Sequence, residues 1–486
     1  MTGRTQTRVV IIGAGFGGIG LGIKLKNAGL NDFVILERSD SVGGVWRDNH
    51  YPGAACDVPS HLYSFSFAPR ADWPDKYANQ ADILDYLTRC AQTYGLAPHI
   101  RFRSEAVDAR WDAASSHWIV RTRDGGVIET QSLVTATGQL SQPHCPELPG
   151  LKNFAGPAFH SAEWRQDYDL RGKRVAVVGT GASAIQFVPA IAPLVGKLHV
   201  FQRSAAYVLP KPDRTYSRWQ RFLFEHVPGA LGLSRLLIYL WHELPAFAFV
   251  IFPAALKVKR AAFRRHLRQG VKNPDLRRRL TPNYRIGCKR ILLSNDFYPA
   301  MDRPNVELVT DEITEVRTGS IVTADGAERK IDCIIFGTGF AATDFLAPIA
   351  IAGVGGQDLH QTWRNGAQAH LGMTVAGFPN FFMLYGPNTN LAHNSIVYMI
   401  ESQIRYVVAC LTRLCGDQVR TLEVRKDVQD RFNAEVGRRL KRTVWAKGCN
   451  SWYLTATGKN TTNWPGYTFE FRLRTRAPRW DEYVVR

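Results

Sequence analysis

The chain has 486 residues, of which 45% are hydrophobic and 21% charged, and its formal net charge is +19. This length supports two or three domains with large cores, and the composition excludes a disordered or fibrous protein. The eight cysteines are scattered without metal-ligand or redox spacing, and the first apolar run enters glycines instead of forming a signal peptide. We therefore expect unpaired thiols, no metal site and a cytoplasmic protein.

The first predicted unit is a strand over residues 8–12, a glycine turn and a helix to about residue 28. The turn, Gly13-x-Gly15-x-x-Gly18, is a dinucleotide fingerprint: its glycines permit a tight turn, approach of a pyrophosphate and close helix–strand packing. Glu37 follows the next strand, 19 residues after Gly18, where a carboxylate accepts hydrogen bonds from ribose hydroxyls. The unit predicts a site for FAD or NAD, and the alternative is a glycine turn that binds nothing.

A second strand, Gly-x-Gly-x-x-Ala turn, helix and strand follow over residues 174–201. Gly179 to Arg203 spans 24 residues, as does Gly13 to Glu37, so the two units are in register with a reversed charge at the ribose position. Arg203 favours the 2′-phosphate of NADP through a charge-assisted contact. One chain is thus predicted to bind a flavin and NADPH, unless Arg203 is only a solvated arginine at a strand end.

The alternation of strands and helices stops between about residues 215 and 285, where helical periodicity and prolines predict a helical insert. Its longest uncharged piece, residues 244–256, contains two prolines and is too short to span a membrane. We expect this subdomain to pack its apolar face over the substrate cavity. The alternative is a peripheral membrane surface over residues 229–290, with apolar residues in the interface and basic ones at anionic headgroups.

Positive charge is concentrated between residues 257 and 290, where 13 Lys or Arg stand against one acid, Asp275. This segment therefore holds +12 of the net charge of +19. Nucleic acid could bind such a patch, but no nucleic-acid motif accompanies it, so we expect no nucleic-acid partner. Anionic lipid or a phosphorylated cofactor fits the charge better.

Strand patterns return near residue 305, and residues 331–336 end in Gly337-Thr338-Gly339 much as an earlier strand ends in Ala136-Thr137-Gly138. Small residues there let the chain pass close to a cofactor. The predicted fold class is α/β, with two dinucleotide-binding (Rossmann-like) domains and a helical insert. We expect an FAD-binding domain over 1–145 and 375–486, an NADP-binding domain over 146–214 and 286–374, and the insert over 215–285.

Several segments, in the same order along the chain, resemble motifs of the type I Baeyer-Villiger monooxygenases, which are class B flavin-dependent monooxygenases. They are Gly44-Val45-Trp46 followed by Tyr51-Pro52-Gly53-Ala54-Ala55-Cys56-Asp57, the segment 154–164 with His160 and Trp164, Gly287-Cys288-Lys289-Arg290, Gly386-Pro387-Asn388, and Asn450-Ser451-Trp452-Tyr453. The resemblance covers nearly the whole chain. One departure is Arg165, which follows Trp164 where the family has Pro or Asp, and it weakens any inference about how that linker moves.

The resemblance implies a monooxygenase that uses FAD, NADPH and O2 to insert one oxygen atom next to a ketone carbonyl, giving an ester or lactone. It implies that Arg290 stabilises a flavin peroxide, that Asp57 orients this arginine, and that Lys289 lies toward the NADP phosphate. It also implies that the His160 segment couples the nucleotide domains and that Trp452 overhangs the nicotinamide. The residues alone leave alternatives open. Arg290 could belong to a basic helix face, and Asp57 could be a helix cap. His160 could be a surface histidine, and Trp452 a core tryptophan.

The motifs and the resemblance together assign a set of residues to the site. Arg290 and Asp57 are the predicted catalytic residues, with His160 and Trp164 as motif residues. The predicted cofactor-binding residues are Gly13, Gly15, Gly18, Glu37, Gly44, Trp46, Asp57, Tyr63, Thr137, Gly138, Gly179, Thr180, Gly181, Ser183, Arg203, Ser204, Lys289, Asn388 and Trp452.

Three other functions compete with this one. An N- or S-oxygenating flavin monooxygenase shares both nucleotide sites, but it does not need an anion held by a cation such as Arg290. A pyridine-nucleotide disulfide reductase needs a redox cysteine pair near the flavin, and Cys56 has no such neighbour. A membrane-surface protein that merely retains nucleotide folds is the third.

Overall fold

The computed structural model describes residues 5–416, 419–446, 448 and 451–486. The first strands are β1 Thr5–Ile12, β2 Phe33–Leu36, β3 Ile100–Arg101, β4 Ala106–Asp112, β5 His117–Thr122 and β6 Val127–Thr135. Those of the middle part are β7 Ala158–His160, β8 Arg174–Val178, β9 Lys197–Phe201, β10 Val208–Leu209, β11 Leu292–Leu293, β12 Val306–Val309, β13 Ile313–Arg317, β14 Ser320–Thr323, β15 Glu328–Lys330 and β16 Cys333–Phe336. The last are β17 Ala350–Ala352, β18 Phe381–Met383, β19 Leu422–Val424 and β20 Tyr483–Val485.

The helices of the first and second nucleotide units are α1 Phe16–Asn27, α2 Val45–Asp48, α3 Gln80–Thr93 and α4 Ala184–Ile191. The middle of the chain adds α5 Arg218–His226, α6 Ala230–Ala246, α7 Lys257–Gly270, α8 Pro274–Arg279 and α9 Phe297–Met301. The last part adds α10 Leu359–Thr362, α11 Ile396–Gly416, α12 Lys426–Leu440 and α13 Thr468–Arg474. A π-helical turn, Phe247–Ile251, continues α6.

The first sheet has the order β17-β4-β5-β6-β1-β2-β3, with β18 pairing beside β6. Strands β3, β2, β1 and β6 are parallel neighbours, whereas β4 and β5 form an antiparallel extension. Helices cover parallel sheets on both faces, which is why β2 is a continuous apolar run with every residue buried.

The second sheet, β12-β9-β8-β16-β7, is parallel throughout. The strand predicted over residues 174–178 is β8, and the strands expected to end at residues 201 and 336 are β9 and β16. Both central strands, β1 and β8, run into a glycine turn and a helix, as the two fingerprints predict. The α/β class with two dinucleotide-binding domains is therefore confirmed.

The chain returns to the first sheet earlier than expected. Strand β17 pairs with β4, and Trp363 and Val375 are buried in one cluster with Val10 and Leu133. Residues from about 345 therefore pack with the first domain, although we expected them in the second domain up to residue 374. A three-residue edge strand carries no sequence signal for its partner, so this boundary depends on tertiary pairing.

The segment predicted as a helical insert contains α5, α6, α7 and α8, and α6 is its central helix. With its π-helical turn, this helix runs over the 22 residues Ala230–Ile251 and passes through Pro245. By length and composition it is apolar enough to cross a membrane, and only 17% of its most apolar window is buried. The expectation that its apolar face covers the cavity is wrong, since most of its large apolar side chains point to solvent.

One described cysteine departs from the expectation that the thiols are unpaired. Free thiols are present at Cys56, Cys90, Cys145, Cys333, Cys410 and Cys415. Cys288, in contrast, is disulfide-bonded. Disulfide pairing depends on proximity in the fold, which spacing along the chain does not reveal.

Candidate active site

A cleft of about 1860 Å³ opens between the two sheets at the carboxyl ends of β1 and β8. It is larger than the roughly 300–1000 Å³ of an ordinary small-molecule site, so it offers room for more than one ligand. The predicted site residues that line it are Gly13, Gly15, Glu37, Gly44, Trp46, Asp57, Tyr63, Thr137, Gly138, Gly179, Thr180, Gly181, Ser183, Arg203, Ser204, Lys289, Arg290 and Trp452.

The first glycine turn is shaped to let backbone approach a ligand. Gly13 has φ +105°, and a Cβ there would lie 2.7 Å from the carbonyl oxygen of Ala136. Gly44 faces Gly15 so closely that its Cβ would lie 3.1 Å from the Gly15 Cα. Gly18 lies outside the cleft lining and lets α1 pack on the turn, because a Cβ would overlap the Gly13 carbonyl. The cradle fits the pyrophosphate of FAD at the N-terminus of α1.

Glu37 lies at the end of β2 with its carboxylate held against this turn. Its Oε2 accepts from the Ala14 N–H at 2.9 Å, and its Oε1 accepts from the Ser39 N–H at 3.0 Å and from Arg47 at 3.1 Å. A carboxylate offers about four acceptor positions, so capacity for ribose hydroxyls remains. The sequence interpretation did not include Arg47, which comes from α2 and fixes the orientation of Glu37.

The second turn repeats this geometry beneath a cluster of positive charge. Gly179 has φ +106°, and a Cβ there would lie 2.5 Å from the Gly337 carbonyl oxygen. At the end of β9, Arg203 is exposed, and Lys289 donates from Nζ to Ser204 Oγ at 3.1 Å. Burial and the neighbouring Arg203 lower the pKa of Lys289. No carboxylate in the described part of the chain pairs with either cation, so the cluster fits the 2′-phosphate of NADP.

Arg290 and Asp57 meet inside the cleft although they are far apart in sequence. Arg290 Nη2 donates to Asp57 Oδ2 at 2.5 Å, and the side chains are 31% and 30% exposed. Burial opposes ionisation of Asp57, but the Arg290 guanidinium outweighs it and holds the pKa of that carboxyl below its usual value. The charge of Asp57 in turn raises the pKa of Arg290. The pair therefore holds a permanent cation that still faces the cleft.

Several aromatic side chains line the same cleft. Trp46 Nε1 donates to Tyr63 Oη at 3.1 Å, and Trp452 stacks at a tilt on Tyr453 with centroids 4.4 Å apart. Burial raises the pKa of Tyr385 and of Tyr453, although the charge of Arg290 opposes the shift in both. Both phenols are thus neutral at physiological pH and help to exclude water from the cation.

Besides Gly18, three predicted residues lie outside the cleft lining. His160 is fully buried at the end of β7, where its Nδ1 accepts from the Ala162 N–H at 3.1 Å, so the alternative of a surface histidine is wrong. Trp164 is buried, and its carbonyl lies 3.2 Å from the His50 ring, which links the second domain to the first. Asn388 uses its amide to donate to the carbonyls of Asn460 and Asn463, outside the main cleft. Asn450, in one resembling segment, is outside the described residues.

Sequence reasoning missed Gln186 on α4, which lines the cleft and bridges the two domains. Its Oε1 accepts from Tyr51 Oη at 2.9 Å, and its Nε2 donates to the Ala55 carbonyl at 2.9 Å. Tyr51 and Ala55 belong to the Tyr-Pro-Gly segment that precedes Asp57. A polar residue three positions after Ser183, on an otherwise apolar helix, was the available signal.

The comparisons with known proteins agree with this geometry. The profile of flavin-binding monooxygenase-like proteins matches residues 6–235. A Baeyer-Villiger monooxygenase of Streptomyces coelicolor is 48% identical over 99% of this chain and 93% of its own length. A steroid monooxygenase bound to NADP superposes with a TM-score of 0.87 at 31% identity, covering 99% of both chains. Cyclohexanone monooxygenase in its closed form superposes with a TM-score of 0.89 at 27% identity, covering 100% of both.

Proposed function

Because this chain belongs to the Baeyer-Villiger monooxygenase family, we propose that Arg290 and Asp57 supply the positive charge on which its oxygen insertion depends. The enzyme uses FAD, NADPH and O2 to insert one oxygen atom next to a ketone carbonyl, giving an ester or lactone. The second oxygen atom leaves as water, with two electrons from NADPH. The N- or S-oxygenating alternative is not favoured.

Bound FAD supplies the two-electron chemistry that connects NADPH oxidation to O2 reduction. The role that we propose for the protein is to stabilise negative charge on oxygen beside that cofactor, in a site with little water. Arg290 suits this task because a guanidinium does not lose its proton and a preorganised charge acts strongly where water is excluded. The observation that carries the proposal is the 2.5 Å contact with Asp57, which fixes the guanidinium within the cleft.

Asp57 is proposed as the positioning residue. Its carboxylate accepts from one Arg290 nitrogen and leaves the other donors of the guanidinium for a ligand. The tyrosines nearby, Tyr385 and Tyr453, are neutral at physiological pH and so do not compete for the charge. An oxygen anion is therefore the natural second partner of Arg290.

The assignment of the two dinucleotides to their turns is part of the same proposal. The carboxylate of Glu37 supports FAD at the first turn, and the Arg203, Ser204 and Lys289 cluster supports NADPH at the second. Glu37 would repel a 2′-phosphate, whereas the cationic cluster would attract one.

The test compares Arg290→Ala with wild type. The variant should bind FAD and oxidise NADPH, because hydride transfer depends on geometry, yet ester formation should fall by about 10²–10³-fold, as when a charge-stabilising donor is removed. NADPH consumption is followed by absorbance and the ester by gas chromatography. Arg285→Ala is the matched control, since Arg285 is exposed and does not line the cleft. Ester formation at the wild-type rate by Arg290→Ala would rule out the role.

We further propose a cytoplasmic location and a peripheral contact of residues 229–290 with a membrane surface. The six free cysteines in the described part of the chain support a reducing compartment, whereas the disulfide at Cys288 is of a kind more common in oxidising ones. The exposed side chains of the insert support the peripheral contact.

A further inference from the structure

A large group of exposed apolar side chains lies on α5, on α6 with its π-helical turn, and at the start of α7. Each is 46–77% exposed, and together they form what we call the apolar face: Trp219, Phe222, Leu233, Leu236, Leu237, Leu240, Trp241, Leu244, Phe247, Ile251, Phe252 and Val258. Elsewhere in the described chain, exposed large apolar residues are few and occur mostly singly, as at Phe102 and Leu194. A contiguous apolar patch of this kind marks an interaction site.

The side of α6 that faces the protein packs Ile238 and Tyr239 against the core and is also held by polar contacts. Arg235 Nη1 donates to the carbonyls of His61 at 2.6 Å and Ser64 at 2.9 Å. Glu243 is buried, and its carboxylate accepts from the Thr468 N–H at 2.6 Å and from Asn394 Nδ2 at 2.6 Å. An ordinary surface helix has one apolar stripe, which points inward, whereas α6 is apolar on its outer side as well. Crossing a membrane would pull Arg235 and Glu243 from these partners, so the helix lies along a surface instead.

The apolar face is broad. On a helical wheel the positions from Leu233 to Ile251 cover about 140°, with Leu236 and Trp241 at the two edges. A helix that pairs with one other helix needs only two positions in seven, which is a narrower seam. Trp219 on α5 and Val258 on α7 widen the face beyond a single helix. This breadth fits a flat apolar medium better than one partner helix, and the tryptophan at one edge suits a membrane interface.

The border of the apolar face along α7 is basic. Exposed cations there are Lys257, Arg260, Arg264, Arg265 and Arg268, and none of them pairs with a carboxylate in the described residues. Val258 and Arg265 are seven positions apart and therefore share one side of α7. The side that continues the apolar face thus also presents positive charge, which complements anionic lipid headgroups.

We propose that α6 lies in the plane of an anionic lipid bilayer, with the apolar face in the interface and the cations of α7 at the headgroups. This deepens the peripheral contact proposed above and does not depend on the role of Arg290. Such a position would also give an apolar ketone a route from the membrane to the cleft. His242 contacts the His393 carbonyl at 3.2 Å, and Glu243 holds Asn394, which lines the cleft. The membrane-facing helix is therefore bonded to the wall of the cleft.

The experiment is flotation of the full-length, FAD-loaded enzyme with two vesicle types, phosphatidylcholine alone and phosphatidylcholine with phosphatidylglycerol. We expect binding to the vesicles that contain phosphatidylglycerol, weakened by salt because the headgroup attraction is screened. Each cation near the surface contributes about fivefold to binding, so Arg264→Ala combined with Arg265→Ala should weaken it about thirtyfold. Arg438→Ala, at an exposed arginine on α12, should bind like wild type.

A matched pair of variants tests how much the apolar face contributes to vesicle binding. Leu240 on the apolar face and Leu194 outside it are both 50% exposed, so Leu240→Ser should weaken binding and Leu194→Ser should not. Oxygenation of a water-soluble ketone should be unchanged in all these variants, which separates this test from that of Arg290. Wild-type enzyme that floats with neither vesicle would overturn the proposal. So would self-association without lipid that Leu240→Ser abolishes, since the apolar face would then bind a second copy of the chain.

Discussion

Two charged side chains at equivalent places are the residues that we propose to select the dinucleotide in each domain. Glu37 and Arg203 both end the second strand of a glycine-turn unit, and they carry opposite charges. Glu37 is buried and already holds three donors, so it acts as a fixed acceptor. Arg203 is exposed and has no described carboxylate partner, so its charge is available to a phosphate.

Arg203→Ala should therefore lower the preference for NADPH over NADH. A charge-assisted contact contributes about 1.5–3 kcal/mol, so the ratio of kcat/KM values should fall about ten- to a hundredfold. Steady-state kinetics with both coenzymes measure this ratio. The exposed Arg303, outside the cleft, offers Arg303→Ala as the control. A wild-type enzyme that uses NADH as well as NADPH would contradict the assignment.

At the residue scale, sequence spacing found what lies on the repeated units and missed what reaches them from elsewhere. Glu37 and Arg203 were predictable because each is a fixed number of positions after a glycine turn. Arg47 and Gln186 were not, because their partners lie across a loop or a domain boundary and no spacing encodes such contacts. The Arg290–Asp57 pair came from resemblance, since its members are 233 positions apart.

At the scale of elements, the insert is held to the first domain by a buried neutral histidine. His61 is 2% exposed, its Nδ1 lies 2.9 Å from Ser234 Oγ on α6, and its ring stacks on Tyr216. Burial and, to a smaller extent, the charge of Arg235 lower the pKa of His61 to about 4. The folded state therefore favours the neutral ring over the protonated one.

This shift predicts an acid-sensitive attachment of α6. The unfolded chain binds a proton at His61 below pH about 6.5, whereas the folded chain does so only below about 4. The stabilisation is therefore complete above pH 6.5 and is lost as the pH falls from there toward 4, by about 3 kcal/mol. Between pH 7 and 4, urea unfolding should show a loss of stability about 3 kcal/mol larger in wild type than in His61→Gln, in which other buried histidines such as His393 still contribute. His226→Gln, at an exposed histidine, is the control, and parallel pH curves for wild type and His61→Gln would refute the idea.

Elements were predictable where composition alone determines burial. Strands β2 and β16 are apolar runs between glycines or polar residues, and a parallel sheet covered on both faces requires that composition. The orientation of α6 was not predictable. Its sequence shows an apolar side, but whether that side faces the core depends on Arg235 and Glu243 finding partners in other parts of the fold.

At the scale of the whole molecule, the order of domains followed from the repeated unit, whereas the early return of β17 to the first sheet did not. The two domains meet where the Tyr-Pro-Gly segment of the first lies on α4 of the second. A Cβ at Gly53 would lie 2.7 Å from the Gln186 carbonyl oxygen, so this glycine permits the close approach. The same segment leads to Asp57, which places the domain contact four residues from the proposed catalytic pair.

Gln186→Leu tests whether this contact holds the two domains in their relative positions around the cleft. Leucine keeps the approximate size of the side chain but leaves the hydroxyl of Tyr51 and the carbonyl of Ala55 without their partner. Unfulfilled buried hydrogen bonds of this kind cost about 1–3 kcal/mol, so the variant should unfold at a lower urea concentration. Looser domains should also admit water beside Arg290, so more NADPH should be consumed per ester formed. The exposed link from Gln166 to the His50 carbonyl offers Gln166→Ala as the control, which should behave like wild type. If Gln186→Leu kept both the stability and the ester yield per NADPH of wild type, the domains would be aligned by other contacts.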